Sequence, residues 1–403
     1  MAPPSDSRAR TNPLFNANRL KLGTFASNGD GAIMTTAPEA FELTWPNTLD
    51  VAQQADEAGF EALVPYARWR SFVGPDHRSG RVFETLTWAA ALAAQTSYCA
   101  VMSTCHVPIV HPYLAAKSAA TIDAISGGRF ALNIVCGWFE PEIEMFNLPR
   151  LDHDTRYELA DEWITVLKRL WTEEDYFDFS GRHLKLARAI SQPKPLQQPY
   201  PVLMNAGGSE KGREFVAKHC DIAFIVPRGD DENVLRNQVD QYRAFARELS
   251  GRDIQVWSSA YVAQADSYED ALKHVNYYAV EHGDEAHADA FIAESITRSR
   301  LIDPAALAKL RYSIKAGTGG VPLLGTAHDI AAKLERVSRC GLDGLLLVWM
   351  DVQNGIRRFN RDVLPLLVQA GLRQPRSRKG PWPLEAGRDE EKTSGRTETL
   401  AWT

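Results

Sequence analysis

The 403-residue chain is predicted to be an α/β protein, a (β/α)8 TIM barrel with insertions. Three observations carry that prediction. Between residues 20 and 371, short apolar, β-branched runs alternate with longer stretches of helical period, the mark of repeated βα units on a parallel sheet. About eight such units can be placed, the number that closes a barrel. No G-x-G-x-x-G follows the first strand and no Walker loop occurs, so an open doubly wound sheet with a nicotinamide pocket fits less well.

The strands are expected at 20–25, 61–64, 99–103, 131–135, 202–205, 222–225, 256–262 and 344–349. Helices are expected at 45–58, 83–94, 112–125, 155–171, 210–219, 231–249, 268–281 and 326–340. In the fourth of these Leu159, Trp163, Leu167 and Leu170 follow three-to-four spacing with Asp161, Glu162 and Lys168 between them, so one face is buried and the other wet. Two segments break the rhythm and are read as insertions covering the barrel mouth. Residues 176–188 read as a hairpin turning at Ser180 and Gly181; residues 295–322 are polar, Gly-rich and without clear period. The domain plan is an N-terminal extension (1–19), a barrel domain (20–372) and a mobile or surface-draped tail (373–403) of mixed charge with few apolar anchors.

Composition narrows the class of partner. With 44% hydrophobic and 24% charged residues the chain is an ordinary globular one, and a net charge of −6 gives no general attraction for nucleic acid. No window reaches the eighteen or so apolar residues of a membrane span, and the first twenty residues lack the order of a secretory signal, so the expected location is the cytoplasm. Cys99, Cys105, Cys136, Cys220 and Cys340 are odd in number and widely spread, which indicates buried thiols rather than disulfides or a zinc site. No His, Asp and Glu set has metal-ligand spacing, so no metal is expected.

In such a barrel chemistry gathers where strands end and βα loops begin. After the second strand come Tyr66, Ala67, Arg68, Trp69 and Arg70, guanidiniums interleaved with rings. They suit an anion beside a flat conjugated ligand, or a surface loop with salt bridges. After the third come Thr104, His106 and His111, where a histidine is either a catalyst or a hydrogen-bonded core group. Asn133 sits between Leu132 and Ile134 on a strand expected to be buried, and an unsatisfied amide there costs about 1–3 kcal/mol. A ligand or the backbone is its partner. Trp138, Glu142, Arg156 and Tyr157 follow, with Asp154 or Thr155 as the cap of the helix that carries the last two. Gly207, Gly208 and Ser209 then close a strand ahead of a helix, a turn that either binds a phosphate or is only a tight connection.

The runs AATIDAISGGRF at 119–130, NIVCGW at 133–138, PKPLQ at 193–197 and NAGGS at 205–209 together resemble the bacterial luciferase-like flavin monooxygenases. The branch is the one that holds alkanesulfonate, dimethyl sulfone and pyrimidine monooxygenases, and the likeness spans about residues 21–367. The resemblance implies FMN at the C-terminal mouth, contacted by Ala67, Arg68, Asn133, Glu142, Arg156, Tyr157 and Ser209, with Ser209 on the phosphate beside Gly207 and Gly208. It implies a dioxygen pocket of Val64, Thr104 and Asn133, with valine where the pyrimidine enzymes have leucine. Thr104 is not the non-polar residue of the sulfone enzymes, yet 137–139 and 153–154 look more like theirs. Arg68, Arg70, His106 and Trp138 are the candidates for touching substrate.

The activity implied is that of a two-component enzyme: a separate NAD(P)H-dependent flavin reductase supplies reduced FMN, and a flavin peroxide formed with O2 oxygenates a small sulfone, sulfonate, heterocycle or amide and cleaves its C–S or C–N bond. The Thr104 hydroxyl and the Asn133 amide would donate hydrogen bonds to the developing oxygen charge. Relatives form homodimers or homotetramers. The alternatives are an F420-dependent hydride-transfer oxidoreductase and a flavin-binding protein without turnover.

Overall fold

The computed structural model describes residues 6–229, 231–295 and 303–376. Its strands are β1 (Lys21–Phe25), β2 (Ala62–Val64), β3 (Ala100–His106), β4 (Phe130–Val135), β5 (Phe177–Ser180), β6 (Lys185–Ala189), β7 (Val202–Asn205), β8 (Ile222–Ile225), β9 (Gln255–Gln264), β10 (Val321–Gly325) and β11 (Gly344–Val348). The order β1-β2-β3-β4-β7-β8-β9-β11 returns to β1 through parallel pairs throughout, which closes the barrel. Every strand expected from the sequence is present. β10, which was not expected, is an addition: the long β9 pairs with β8 over 255–258 and with β10 over 260–264, so β10 takes up hydrogen bonds where β8 ends.

The two-residue period of a strand sorts the side chains between two cores. Ala62, Val64, Ala100, Met102, Ala131, Met204, Trp257 and Leu346 fill the barrel interior. Their neighbours of opposite parity, among them Leu63, Val101, Leu132, Leu203 and Leu345, pack outward with the helices. Gly23 belongs to the inward set, and a Cβ there would stand 2.8 Å from both the Ala62 carbonyl and a Leu346 methyl. Thr104 and Asn133 continue the inward parity of β3 and β4 at their C-terminal ends, where they pair directly across the ladder.

The N-terminal extension plugs the opposite end. Leu14, fully buried, joins the interior cluster, and its carbonyl accepts from the Gln255 side chain. The expected tail boundary at 373 is corrected. Arg373 is 6% exposed and holds the fully buried Glu61 through two hydrogen bonds of 2.7 and 3.0 Å, so described residues 373–376 begin with an anchor; 377–403 lie outside the described residues. The reason is charge: a buried carboxylate just before β2 demands a cation, and Arg373, shortly after the last barrel helix, supplies it.

The segment 295–322 is not periodless. Its described part holds the helix Pro304–Gly317, on which Leu307, Leu310 and Ile314 keep helical spacing, and then enters β10; the glycines that masked the pattern begin only at Gly317. The hairpin forms as β5 and β6 but does not cover the mouth. The Glu162 carboxylate, on the helix His153–Thr172, accepts the backbone N–H groups of Arg182, His183 and Leu184, so the hairpin rests on the outer ring of helices. That helix begins at His153 with Asp152 as its cap, its carboxylate accepting from Asp154 and Thr155, rather than with Asp154 or Thr155 capping. Cys99, Cys105, Cys220 and Cys340 are buried, Cys136 is partly so, and all five are free.

Candidate functional site

At the C-terminal mouth the first constellation is polar and small. The Asn133 Nδ2 donates to Thr104 Oγ1 at 3.2 Å, and Thr104 Oγ1 donates its own proton to the Pro65 carbonyl at 2.6 Å. Asn133 Oδ1 is buried with no hydrogen-bond partner. The amide is therefore fixed in orientation from one side and unsatisfied on the other, an arrangement that costs about 1–3 kcal/mol unless a ligand donor completes it. Thr104 differs from its expected role. Its only proton is taken by Pro65, so the hydroxyl positions Asn133 instead of donating to oxygen.

A second constellation holds the loop after β2. Glu142, 2% exposed, accepts the Trp69 N–H at 2.7 Å and lies 3.7 Å from Arg68 Nη1 and 3.9 Å from His106 Nδ1. Burial raises the Glu142 pKa, with Arg68 opposing the shift, while burial and the Arg68 charge push His106 down to about 3. The imidazole is thus neutral, and its Nδ1 accepts from the Trp69 indole at 3.1 Å. Arg68 in turn stacks over Phe72, 4.0 Å from the ring centroid, with Trp138 and Phe139 at 5.6 and 5.4 Å. Phe72 and Trp138 stack at 5.9 Å, and Phe291 packs edge-on against both.

These side chains border a cavity of about 150 Å3 lined by Phe25, Tyr66, Arg68, Phe72, His287 and Phe291 together with Asp30, Ala32, Met34, Ser79 and Thr318. An apolar cavity of ~150 Å3 takes one benzene-sized ring. The wall is mainly aromatic, and the polar groups Arg68, His287 and Asp30 punctuate it.

The third constellation is a cradle-shaped turn. Asn205 donates to the Ile134 carbonyl and accepts the Gly207 N–H at 2.7 Å, which folds the chain back into the helix Glu210–His219. Gly207 is obligatory, since a Cβ would meet Gly212 at 2.6 Å, whereas Gly208 faces open space. Ser209 caps the helix through Gly212 N–H, and His153 Nε2 stands 3.0 Å from its hydroxyl. The N-terminal ends of two helices, Glu210–His219 and His153–Thr172, thus meet at an exposed serine, a place that favours negative charge. Tyr157, hydrogen-bonded to Ser209, is pushed up to about 12 by burial, and Arg156 donates to the Gly137 carbonyl.

Residues 20–344 match the luciferase-like monooxygenase family. The chain belongs to that family. The FMNH(2)-dependent dimethylsulfone monooxygenase of Pseudomonas putida is 30% identical over 375 residues, covering 86% of this chain and 95% of its own. Pyrimidine monooxygenase RutA of Acinetobacter baylyi is 28% identical over 363 residues, 87% of this chain and 95% of its own. Among solved structures, the long-chain alkane monooxygenase LadA superposes with a TM-score of 0.79 at 22% identity over 91% of this chain and 95% of that one. DmoA from Hyphomicrobium sulfonivorans gives 0.76 at 20% over 90% and 91%. At such identities the two structures establish the barrel fold alone.

In this luciferase-like monooxygenase, Val64, Thr104 and Asn133 converge because all three occupy inward strand positions near the mouth. Arg68, Glu142 and His106 form one loop-holding cluster, with Ala67 preceding Arg68 in the loop; Tyr157, Gly207, Gly208 and Ser209 gather at the turn before the helix Glu210–His219, and Arg156 reaches the Gly137 carbonyl. Arg70 and Trp138 do not line the cavity. Arg70 is exposed, its backbone N–H reaching Glu142, and Trp138 backs the Phe72 ring. His106 is likewise behind the wall. Sequence reasoning missed Phe72, His287 and Phe291, although Phe72 follows the inspected 66–70 run by two residues; the other two fall on the helix Glu285–Ser295, which interrupts the βα rhythm.

Proposed function

We propose that the chain is the oxygenating component of a two-component, FMNH2-dependent monooxygenase that breaks a C–S or C–N bond of a compact organic substrate. Its reduced FMN comes from a separate NAD(P)H-dependent flavin reductase, in the cytoplasm, and the catalytic domain runs from about residue 20 to the Arg373 anchor as a homodimer or homotetramer. The single observation that carries the reading is Asn133 Oδ1, an acceptor buried without a partner at the mouth, level with the Ser209 cradle's strand. Such an acceptor fits a ring N–H of a reduced isoalloxazine, and the serine, the two helix N-termini and open Gly208 fit its phosphate. Both relatives named above are monooxygenases and the first is FMNH(2)-dependent, which supports the same cofactor.

In this reading Ser209, His153 and the first amides of the helix Glu210–His219 hold the phosphate, with Arg156 and Tyr157 beside them. Reduced FMN, when bound, supplies the two electrons that activate dioxygen. Thr104 locks the Asn133 amide, so its free carbonyl oxygen meets the ring N–H without reorganising. The aromatic wall of the cavity keeps water out and accepts the apolar body of the substrate, while Arg68 orients its polar end. The test is incubation with a generic flavin reductase, NADH and labelled dioxygen across sulfones, sulfonates, uracil and other heterocycles, followed by mass spectrometry. One product carrying the label is expected. Absence of label from every product, together with hydride exchange with F420 and no oxygen uptake, overturns the proposal.

A further inference from the structure

Three side chains at the edge of the cavity contribute no chemistry to that reaction. His77 belongs to the segment after β2, while Asp284 and His287 open the helix Glu285–Ser295, 207 residues away from His77. His77 Nε2 meets Asp284 Oδ2 at 2.9 Å, and Asp284 Oδ1 accepts the His287 backbone N–H at 3.0 Å. One donor atom from each of the three lies within 4.8 Å of the other two. Asp284 and His287 are each 6% exposed. His287 Nδ1 is buried with no hydrogen-bond partner, and the ring forms part of the cavity wall. A buried ring nitrogen left unpaired costs about 1–3 kcal/mol, so the position asks for a ligand.

We propose that His77, Asp284 and His287 bind a divalent transition-metal ion of the zinc class. Two imidazoles and one carboxylate are a donor set that zinc and its first-row neighbours accept, and three protein ligands leave a further position open. The supporting contacts are those a metal site requires. His77 Nδ1 accepts the Ser79 backbone N–H at 3.3 Å and stands 2.8 Å from Ser79 Oγ; with Nε2 on the ion the ring proton moves to Nδ1, which gives up that backbone bond and donates to the hydroxyl, itself 3.0 Å from Ser71 Oγ. The second oxygen of Asp284 is already held by the His287 amide. Bonds of ~2.0–2.1 Å at a tetrahedral angle place donors about 3.3 Å apart, so the His77–Asp284 pair at 2.9 Å opens by a few tenths of an ångström while the His287 donor, within 4.8 Å of both, closes in by up to about 1.5 Å. Arg68 faces the same cavity and opposes added positive charge; the carboxylates of Asp284 and Asp30 offset it. The ion ties the segment around His77 to the helix Glu285–Ser295, two walls of the cavity.

The test uses the full chain, treated with chelator, dialysed, and titrated with Zn2+ and separately with Co2+ in the absence of any flavin, so its result is independent of the oxygenase reading. Calorimetry is expected to give one ion per chain at micromolar affinity or tighter, and Co2+ to show the visible bands of a four- or five-coordinate centre. His287→Ala and His77→Ala should each weaken binding at least about tenfold, while His328→Ala, on the surface, leaves it unchanged. Zn2+ should raise the melting temperature of the parent and not of His287→Ala. Absence of binding at 100 µM Zn2+, or an affinity that neither substitution moves, overturns the site and leaves the free nitrogen of His287 to the substrate.

Discussion

Asn133 and His106 were both visible as polar residues near strand ends, and the structure separates them by what completes their hydrogen bonds. Asn133 keeps an acceptor without a partner, so Asn133→Ala should lower product formation by about 5- to 150-fold, the ~1–3 kcal/mol of leaving a buried ring N–H without its acceptor. The urea midpoint should move little, because only one hydrogen bond, to Thr104, is lost. Unchanged turnover with the reductase system would remove Asn133 from the mechanism. Ser209→Ala should weaken reduced FMN by roughly 1.5–3 kcal/mol in anaerobic calorimetry, the range for a hydrogen bond to a charged group. His106 instead carries a stability signature. Its folded pKa of about 3 lies below the free value near 6.5, so the unfolded chain takes up a proton first as pH falls. Its contribution is complete above ~6.5 and declines toward ~3, by at most about 1.4 kcal/mol per pH unit. His106→Gln keeps an acceptor for the Trp69 indole, and its urea midpoint should fall less steeply between pH 6.5 and 4 than the parent's. Glu142, shifted upward, opposes this slope in both proteins and so leaves the difference between them.

At the scale of elements, what was legible followed from periodicity and what was missed followed from its interruption. The eight barrel strands carry runs such as LLLV in β11, buried on both faces, and no other assignment suits them. β10 reads VPLLG with a proline and ends on a glycine of positive φ, signals that normally argue against a strand; it survives because Pro322 sits on an added edge. The cradle was readable from NAGGS because a strand, a glycine turn and a helix cap are consecutive in the chain. The cavity was not, since Phe25, Phe72 and Phe291 come from three distant segments. The hairpin shows how one side chain fixes an element's place. Glu162 accepts three successive N–H groups, and Glu162→Ala releases them together. Limited proteolysis should then cut between β5 and β6 faster than in the parent, with turnover within about twofold, because the hairpin rests on the helical ring and not at the mouth. Equal protection would show that the remaining contacts, among them the packing of Phe177 and Ala189, the Arg169 bond to the Asp178 carbonyl and the Arg182–Glu158 pair, suffice to hold it.

For the molecule as a whole, a buried ion pair braces the barrel at the end opposite the site. Glu61 is fully buried at the start of β2, and five groups converge on its two oxygens: both Arg373 Nη atoms, the side chains of Asn16 and Asn18, and the Leu22 N–H. The arginine also donates to the Leu20 and Gly59 carbonyls, so one side chain from the end of the barrel domain joins the N-terminal extension, β1 and β2. Removing the cation alone leaves a carboxylate in the interior without its charge partner, a loss of about 3–5 kcal/mol. Arg373→Met should therefore lower the urea midpoint sharply, while Arg373→Met combined with Glu61→Gln should recover a large part of it. The recovery separates two causes. If the pair mattered only as packing, the double variant would be at least as unstable as the single, because Gln replaces nothing that methionine lost. If charge burial dominates, neutralising Glu61 removes the penalty and keeps the Asn16 and Asn18 donors on the remaining oxygen, while the amide NH2 faces the Leu22 N–H, so the recovery is large but incomplete. In either variant the mouth, on the far side of the interior layers of Met102, Ala131 and Trp257, should keep its affinity for reduced FMN wherever the chain is folded; a parallel loss of flavin would show that the two ends of the barrel are coupled.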